Sequence, residues 1–258
     1  MALFIGTFSN AQSITLGPAF ANALPYQENC KNHVIERDIY ALSNNDSTKF
    51  ADWVAYRMDS TFAKGPERSR NWKPDPALKE EETLEPSGPD DYAGAYAQYK
   101  YDRGHMAPLG SFDGTPGWEE VNYLSNITPQ KAALNRGPWK QLESVERTLI
   151  QTCLAAYVIC GTLYESSMPS LPSADEPHVV PSSFWKVVVC QTSKDTLVAS
   201  FIFPQEVQQS ASYLDFSTTL QEVEQRSGYD LFRGVNETWE NHFSGFINDE
   251  WIRAAAGY

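Results

Sequence analysis

Three late segments of the chain are almost continuously apolar, with β-branched and aromatic residues prominent: Ala156 to Gly161 (AYVICG), Phe184 to Cys190 (FWKVVVC) and Thr196 to Phe203 (TLVASFIF). That content and length predict strands. Ser47 to Met58 (STKFADWVAYRM) bunches Phe50, Trp53, Val54 and Tyr56 and fits a strand or a short helix. The run YDRGHMAPLGSF, from Tyr101, opens like a strand and closes on glycine and proline. Between Leu134 and Leu154 the period changes: Trp139, Leu142, Leu149, Ile150 and Cys153 recur at helical spacing. Pro138 falls in the first turn, where the missing N–H has no intrahelical partner to lose. Phe216 to Arg226 reads as a short amphipathic helix ended by Gly228. Residues 74–91 (PDPALKEEETLEPSGPDD) are rich in proline, glycine and acid, which predicts a surface excursion. Strands and helices mix without a βαβ rhythm. The expected fold is α+β, with a central, largely antiparallel β-sheet flanked by helices.

Composition adds limits. The 258 residues are 41% hydrophobic and 21% charged, which excludes collagen-like, coiled-coil and wholly disordered chains. No apolar run reaches about 18 residues, so no membrane helix is expected. Residues 1–23 look like a degenerate or truncated signal peptide: an apolar start, Ala21-Asn22-Ala23 as a cleavage-like end, but no Lys or Arg before Lys31. This predicts a secreted or periplasmic protein with one domain over residues 24–258. Of the four cysteines, none forms a C-x-x-C pair. Cys153 and Cys160, seven apart among apolar neighbours, fit buried thiols as well as disulfides. Cys30, in the polar run Gln27-Glu28-Asn29, is expected to be disulfide-bonded to an unassigned partner.

The formal net charge of -13 argues against nucleic acid at first sight. Its distribution changes that. Residues 64–73 sum to +3 and residues 131–147 to +2, while residues 222–253 sum to -4. A basic cleft on an acidic body fits this pattern.

There is no H-E-x-x-H, G-x-S-x-G or Walker A motif. The histidine in Asp102-Arg103-Gly104-His105 is the one with a chemical setting. On a strand Arg103 and His105 share a face. A guanidinium that grips phosphate oxygens beside a neutral imidazole that takes a proton from water suits a phosphate substrate. Downstream, Asn135, Glu143 and Arg147 are spaced by eight and four, so one helix would hold them on a common stripe. An amide oxygen, a carboxylate and a guanidinium together could hold a hard hydrated cation next to a phosphate. The plain alternative for Glu143 and Arg147 is a surface i,i+4 pair.

Longer runs decide between these readings. Tyr101-Asp102-Arg103-Gly104-His105 with Ala107-Pro108-Leu109, followed by NYLSNITPQKAALNRGPWKQLE (Asn122 to Glu143), resembles the DNA/RNA non-specific endonucleases. These are ββα-metal, or His-Me finger, nucleases of the Serratia nuclease type. The resemblance extends to STKFADWVAYR, RNWKPDPAL, GTLYE and VPSSFWKV and covers roughly residues 38 to 235. It implies a ββα-metal active-site motif within the α+β fold and hydrolysis of DNA and RNA, single- and double-stranded, to 5′-phosphate ends. His105 would be the general base. Asn135 would be the direct protein ligand of one Mg²⁺, with Mn²⁺ as a substitute, and Glu143 would hold a water of its hydration shell. Arg70, Arg103 and Arg147 would neutralise phosphate oxygens, and Asp102 would hydrogen-bond within the site. Asn126 is expected to be structural. A proteinaceous inhibitor is an admissible partner. Two alternatives remain: a toxin nuclease domain with a cognate immunity protein, and a catalytically weak nucleic-acid-binding or uptake component. The latter should lack His105, Asn135 or Glu143, and all three are present.

Overall fold

The computed structural model describes residues 24–62, 65–87, 90–193, 196–233, 247 and 249–255. The signal-like segment 1–23, Lys64 and part of the acidic run 222–253 lie outside the described residues. In chain order the strands are β1 His33–Glu36, β2 Tyr40–Asn45, β3 Phe50–Met58, β4 Tyr101–His105, β5 Ile127–Lys131, β6 Ala155–Leu163, β7 Ser183–Gln191, β8 Thr196–Pro204 and β9 Ser217–Thr218. The helices that matter below are α1 Ala95–Tyr99, α2 Ala132–Leu134, α3 Lys140–Leu149 and α4 Leu220–Ser227.

Seven strands form one antiparallel sheet in the order β1-β2-β3-β6-β7-β8-β9, and β4 and β5 pair separately. The expected α+β architecture is therefore observed. The apolar runs of β6 and β7 follow from their central place, because both faces of the sheet are covered. On one face Val54, Tyr56, Val158, Cys160, Phe184 and Phe201 pack with Leu142, Val145 and Leu149 of α3. On the other, Trp53, Ile159, Trp185, Val187 and Ile202 pack with Leu220 and Val223 of α4. Of Ser47 to Met58, Phe50–Met58 resolves as a strand whose alternate residues feed both cores, and Ser47 to Lys49 form the turn before it.

Four expectations need correction. The helix expected over Phe216 to Arg226 begins only at Leu220, because Ser217 and Thr218 pair with β8 and the Thr219 hydroxyl caps α4 by accepting from the Glu222 N–H at 3.0 Å. The helix expected over Leu134 to Leu154 is broken and ends at Leu149. Its start is interrupted by a π-turn, Asn135–Trp139, in which Gly137 leaves helical geometry (φ -105°, ψ -117°). Proline at 138 disfavours the α conformation of the preceding residue. Gly137 also packs so closely on the chain that an added Cβ would sit 2.5 Å from the Gln209 carbonyl oxygen. The excursion at 74–91 is anchored rather than free. Glu80 and Glu81 are exposed, but Asp75, Leu84 and Asp91 are buried, with Arg37 donating to both Asp75 oxygens at 2.5 Å. Finally, Cys30 is a free, exposed thiol 3.6 Å from the Tyr229 hydroxyl. Cys153 bonds to Cys190, and Cys160 of β6 is buried with its thiol donating to the Met106 carbonyl at 3.4 Å. The one other free thiol among the described residues, that of Cys160, is buried, so Cys30 stands without a disulfide.

One polar cluster crosses the apolar layer between α3 and the sheet. Lys186 of β7 and Glu146 of α3 form an ion pair at 2.9 Å with both side chains 0% exposed. Tyr56 of β3 donates to the other Glu146 oxygen at 2.8 Å, and the Lys186 ammonium sits 4.1 Å from the Trp139 ring centroid. Burial alone would drive the proton off Lys186, but Glu146 outweighs it and holds the ammonium above its ordinary range. Removing one partner strands a charge in the core. Lys186→Met should therefore cost about 3–5 kcal/mol of stability in urea unfolding. The double variant Lys186→Met/Glu146→Leu should recover part of that loss. A single variant of wild-type stability would contradict this role.

Candidate active site

The β4–β5 hairpin and α3 bound an open cleft of about 660 Å³. The hairpin register sets Arg103 opposite Pro129 and His105 opposite Ile127. Gln205 holds it to the main sheet: Nε2 donates to the Pro129 and Pro181 carbonyls at 2.7 and 3.0 Å, and Oε1 accepts from the Lys131 N–H at 2.8 Å. The chain leaving β4 is pinned by Asn126, buried and bonded to the Ala107 N–H, the Ala107 carbonyl and the Val121 carbonyl at 2.8, 3.0 and 2.8 Å. Asn126 is structural, as its setting in the sequence suggested.

All seven residues singled out in the sequence, Arg70, Asp102, Arg103, His105, Asn135, Glu143 and Arg147, line this one cleft. The break at Gly137 does not scatter the helical group, because Asn135 precedes it and the α3 residues Glu143 and Arg147 follow it on the same wall. The surface-pair alternative fails: Arg147 donates to Ser144 Oγ at 3.0 Å, and no ion pair to Glu143 forms.

His105 is 9% exposed, with its ring 5.2 Å from that of Trp72. Its Nε2 lies 3.2 Å from Asn122 Oδ1, while Asn122 Nδ2 donates to the Ser69 carbonyl at 3.4 Å. With the amide orientation set by Ser69, the oxygen facing His105 can only accept. Nε2 therefore carries the proton and Nδ1 keeps its lone pair. Burial pulls the imidazole down to about 4, against the support of the Asn122 hydrogen bond and with Arg70 adding repulsion.

Asn135 Nδ2 donates to Asp102 Oδ2 at 2.9 Å, and Arg136 grips both oxygens of the same carboxylate at 2.8 and 2.6 Å. The amide nitrogen is thereby committed and the amide oxygen is left for another partner. Glu143 is half-buried in the wall. Burial first, then Glu146 behind it, push its carboxyl up to about 7, against the pull of Lys186 and Arg147. Arg103 is oriented by an ion pair to Asp90 and by the rings of Trp72 and Tyr92, 5.5 and 5.1 Å away. Among the described residues, Arg70, Lys140 and Arg147 have no acidic hydrogen-bond partner, so three cations line the cleft without a bonded counter-ion.

Asn122, Trp72, Tyr92, Tyr96 and Arg136 were not singled out in the sequence. Trp72 and Asn122 fall inside runs that carry the family resemblance, RNWKPDPAL and NYLSN, which is the signal that could have found them. Asp90 and Tyr92 stand in or beside a run read only as an excursion.

The comparisons with known proteins agree with this architecture. The family described as DNA/RNA non-specific endonuclease matches residues 18–238. A nuclease of Serratia marcescens is 43% identical over 230 residues, covering 84% of this chain and 85% of that protein. Nuclease C1 of Cunninghamella echinulata var. echinulata is 31% identical over 216 residues, covering 77% and 82%. Among solved structures, the EndoG/EndoGI complex, described as showing the mechanism of EndoG inhibition, contains a chain that superposes with a TM-score of 0.68 at 25% identity, covering 80% of this chain and 88% of that one. The chain belongs to the DNA/RNA non-specific endonuclease family.

The imidazole gives a direct check. Because the native His105 sits below the ordinary value of about 6.5, the unfolded chain binds its proton first as pH falls. His105 thus contributes stability above about pH 6.5 that is lost between there and about 4. Imidazole C–H resonances in NMR should show one histidine titrating near 4, and Arg70→Gln should move it upward by removing a repelling charge. An unshifted titration for His105 would contradict the buried, Asn122-bound geometry.

Proposed function

We propose that the cleft hydrolyses phosphodiester bonds of DNA and RNA, single- and double-stranded, with His105 as general base and Mg²⁺ as the cofactor, Mn²⁺ being an adequate substitute. The observation that carries this reading is the His105 tautomer: a neutral imidazole, with Nδ1 unprotonated, in a cleft lined by arginines.

The donor set suits a hard cation. Asn135 offers an amide oxygen whose nitrogen is already bonded to Asp102, and the Glu143 carboxylate lines the same wall. Asn135 would hold the ion directly and Glu143 through water, since Mg²⁺ gives up its hydration reluctantly. When bound, the ion supplies charge stabilisation for the phosphoryl and leaving oxygens. Glu143 serves that purpose as the anion, so cofactor affinity should rise with pH through about 7.

The chain's own residues do the rest. Arg70, Arg103 and Arg147 take phosphate oxygens and offset the charge that gathers there in the transition state. His105 Nδ1 removes a proton from the attacking water, and Asn122 keeps the ring in the required tautomer. An imidazole near 4 is a weak base in the empty cleft, but an anionic phosphate beside it favours the imidazolium and raises its basicity during the reaction. Asp102 holds Asn135 and Arg136 in place. The water oxygen bonds to phosphorus as the bond from phosphorus to the 3′ oxygen breaks; that oxygen takes a proton from solvent and leaves as the 3′-hydroxyl, and the phosphate stays on the 5′ end. Contacts to backbone rather than to bases make the site indifferent to sequence, and a site that ignores the 2′-hydroxyl accepts both DNA and RNA. The Cys153–Cys190 disulfide supports a secreted or periplasmic location, where such bonds persist. The inhibitor complex of the EndoG neighbour supports a proteinaceous inhibitor as a further partner.

Two variants test the assignment. His105→Ala should fold normally and lose about 10²–10⁴-fold in hydrolysis of both DNA and RNA. Asn135→Ala should lower the rate and raise the half-saturating Mg²⁺ concentration together. Near wild-type turnover in the first, or an unchanged Mg²⁺ titration in the second, would overturn the corresponding role.

A further inference from the structure

Four carboxylates from two separate loops meet next to the cleft-lining Tyr92. Glu85 and Asp91 come from the stretch before α1, and Asp175 and Glu176 from the connection between β6 and β7. One oxygen from each lies within 4.8 Å of the others. Asp91 sets this group apart from an ordinary acidic surface. Its side chain is in a residue 0% exposed; Oδ2 accepts from the Glu85 N–H at 2.6 Å, and Oδ1 has no hydrogen-bond donor. Glu85 Oε1 and Glu176 Oε2 are also buried without a donor.

Among the described residues, no lysine or arginine forms an ion pair with any of the four. His178 is close but is committed as a neutral ring: Nε2 accepts from the Leu171 N–H at 2.9 Å, and Nδ1 donates to the Glu176 carbonyl at 2.8 Å. Burial and mutual repulsion accordingly raise the Glu85 carboxyl to about 8 and lift Asp91 and Glu176 above the usual carboxylate range. Holding such a group together without a counter-charge is unfavourable.

We propose that Glu85, Asp91, Asp175 and Glu176 form a divalent-cation site for Ca²⁺, separate from the catalytic cleft. Ca²⁺ accepts six to eight oxygens in a flexible arrangement, including mono- and bidentate carboxylates, whereas Mg²⁺ prefers to keep its water. A cation here gives Asp91 Oδ1 its missing partner and ties the two loops together. The tie bears on the cleft through the chain itself. Asp90, one residue away, is the acid paired with Arg103, and the Tyr92 ring flanks the same guanidinium. The site thereby acts as a brace for a phosphate-binding arginine.

The test needs no activity readout. Ca²⁺ is titrated into the full chain in excess Mg²⁺, with binding heat and Tm followed. One Ca²⁺ per chain should bind, with a Tm rise on the order of 5 °C at saturation. Asp175→Asn/Glu176→Gln changes the exposed and the half-buried carboxylates of one loop and leaves the fully buried Asp91 in place. It should weaken binding at least about tenfold, the effect of losing roughly 1.4 kcal/mol of charge interaction, and abolish the Tm rise. Asn135→Ala should retain both. Absence of binding in the wild type overturns the proposal, and so does binding lost in Asn135→Ala but kept in Asp175→Asn/Glu176→Gln. A Tm that rises on mild acidification with no response to Ca²⁺ also overturns it, because shared protons then hold the cluster.

Discussion

The Lys186–Glu146 ion pair is the contact on which the position of α3 depends. It lies wholly out of water, between the central strand β7 and the helix that carries Glu143 and Arg147. A buried charge has no neutral alternative arrangement: Glu146 must meet Lys186, and Tyr56 must meet Glu146, or each pays several kcal/mol in lost hydration. Apolar packing of Leu142, Val145 and Leu149 would bind α3 to the sheet in several nearby registers. The ion pair admits one. Glu143 and Arg147, on the same helix within one turn of Glu146, inherit that register and face the cleft.

The opposite wall is set by different means. Gln205, Asn126 and Asn122 each spend their full amide on backbone or ring partners, which holds the hairpin, the loop after it and the imidazole in turn. The result is a neutral imidazole and an arginine on a strand, facing an amide and a carboxylate on a broken helix. Rigid elements of two kinds thus converge on a small volume, which is what positioning a reactive water against a phosphodiester requires. The cleft is cationic locally although the chain is strongly acidic, because Arg70, Arg136, Lys140 and Arg147 come from the two basic segments and Arg103 joins them from β4.

Much of this was legible in the residues. The fully apolar runs of β6, β7 and β8 could be read because a sheet covered on both faces has no polar side to confuse the pattern. The DRGH tetrad and the long runs flanking it identified the family and, with it, the seven residues that line the cleft. What could not be read rests on tertiary contact. β1 and β2 carry too little pattern to stand out. The π-turn depends on Gly137 meeting Gln209, far along the chain. Cys30 looked like half of a disulfide because exposure suggested a bridge, yet Cys153 and Cys190 are brought together only by the pairing of β6 with β7 and the turn after α3. Asp91 was read as part of a solvated acidic loop and is fully buried.

The central claim is that a neutral histidine and a hard cation, held by an otherwise acidic protein, cleave a phosphodiester backbone without regard to sugar or sequence. Incubation of the purified chain with supercoiled plasmid and with a structured RNA, in Mg²⁺ and then in excess chelator, tests it most directly. The account predicts nicking and degradation of both polymers in Mg²⁺, 5′-phosphate ends on the products, and full arrest by chelator that added Mg²⁺ reverses. Cleavage that survives chelation, or ends bearing 3′-phosphate, would contradict it.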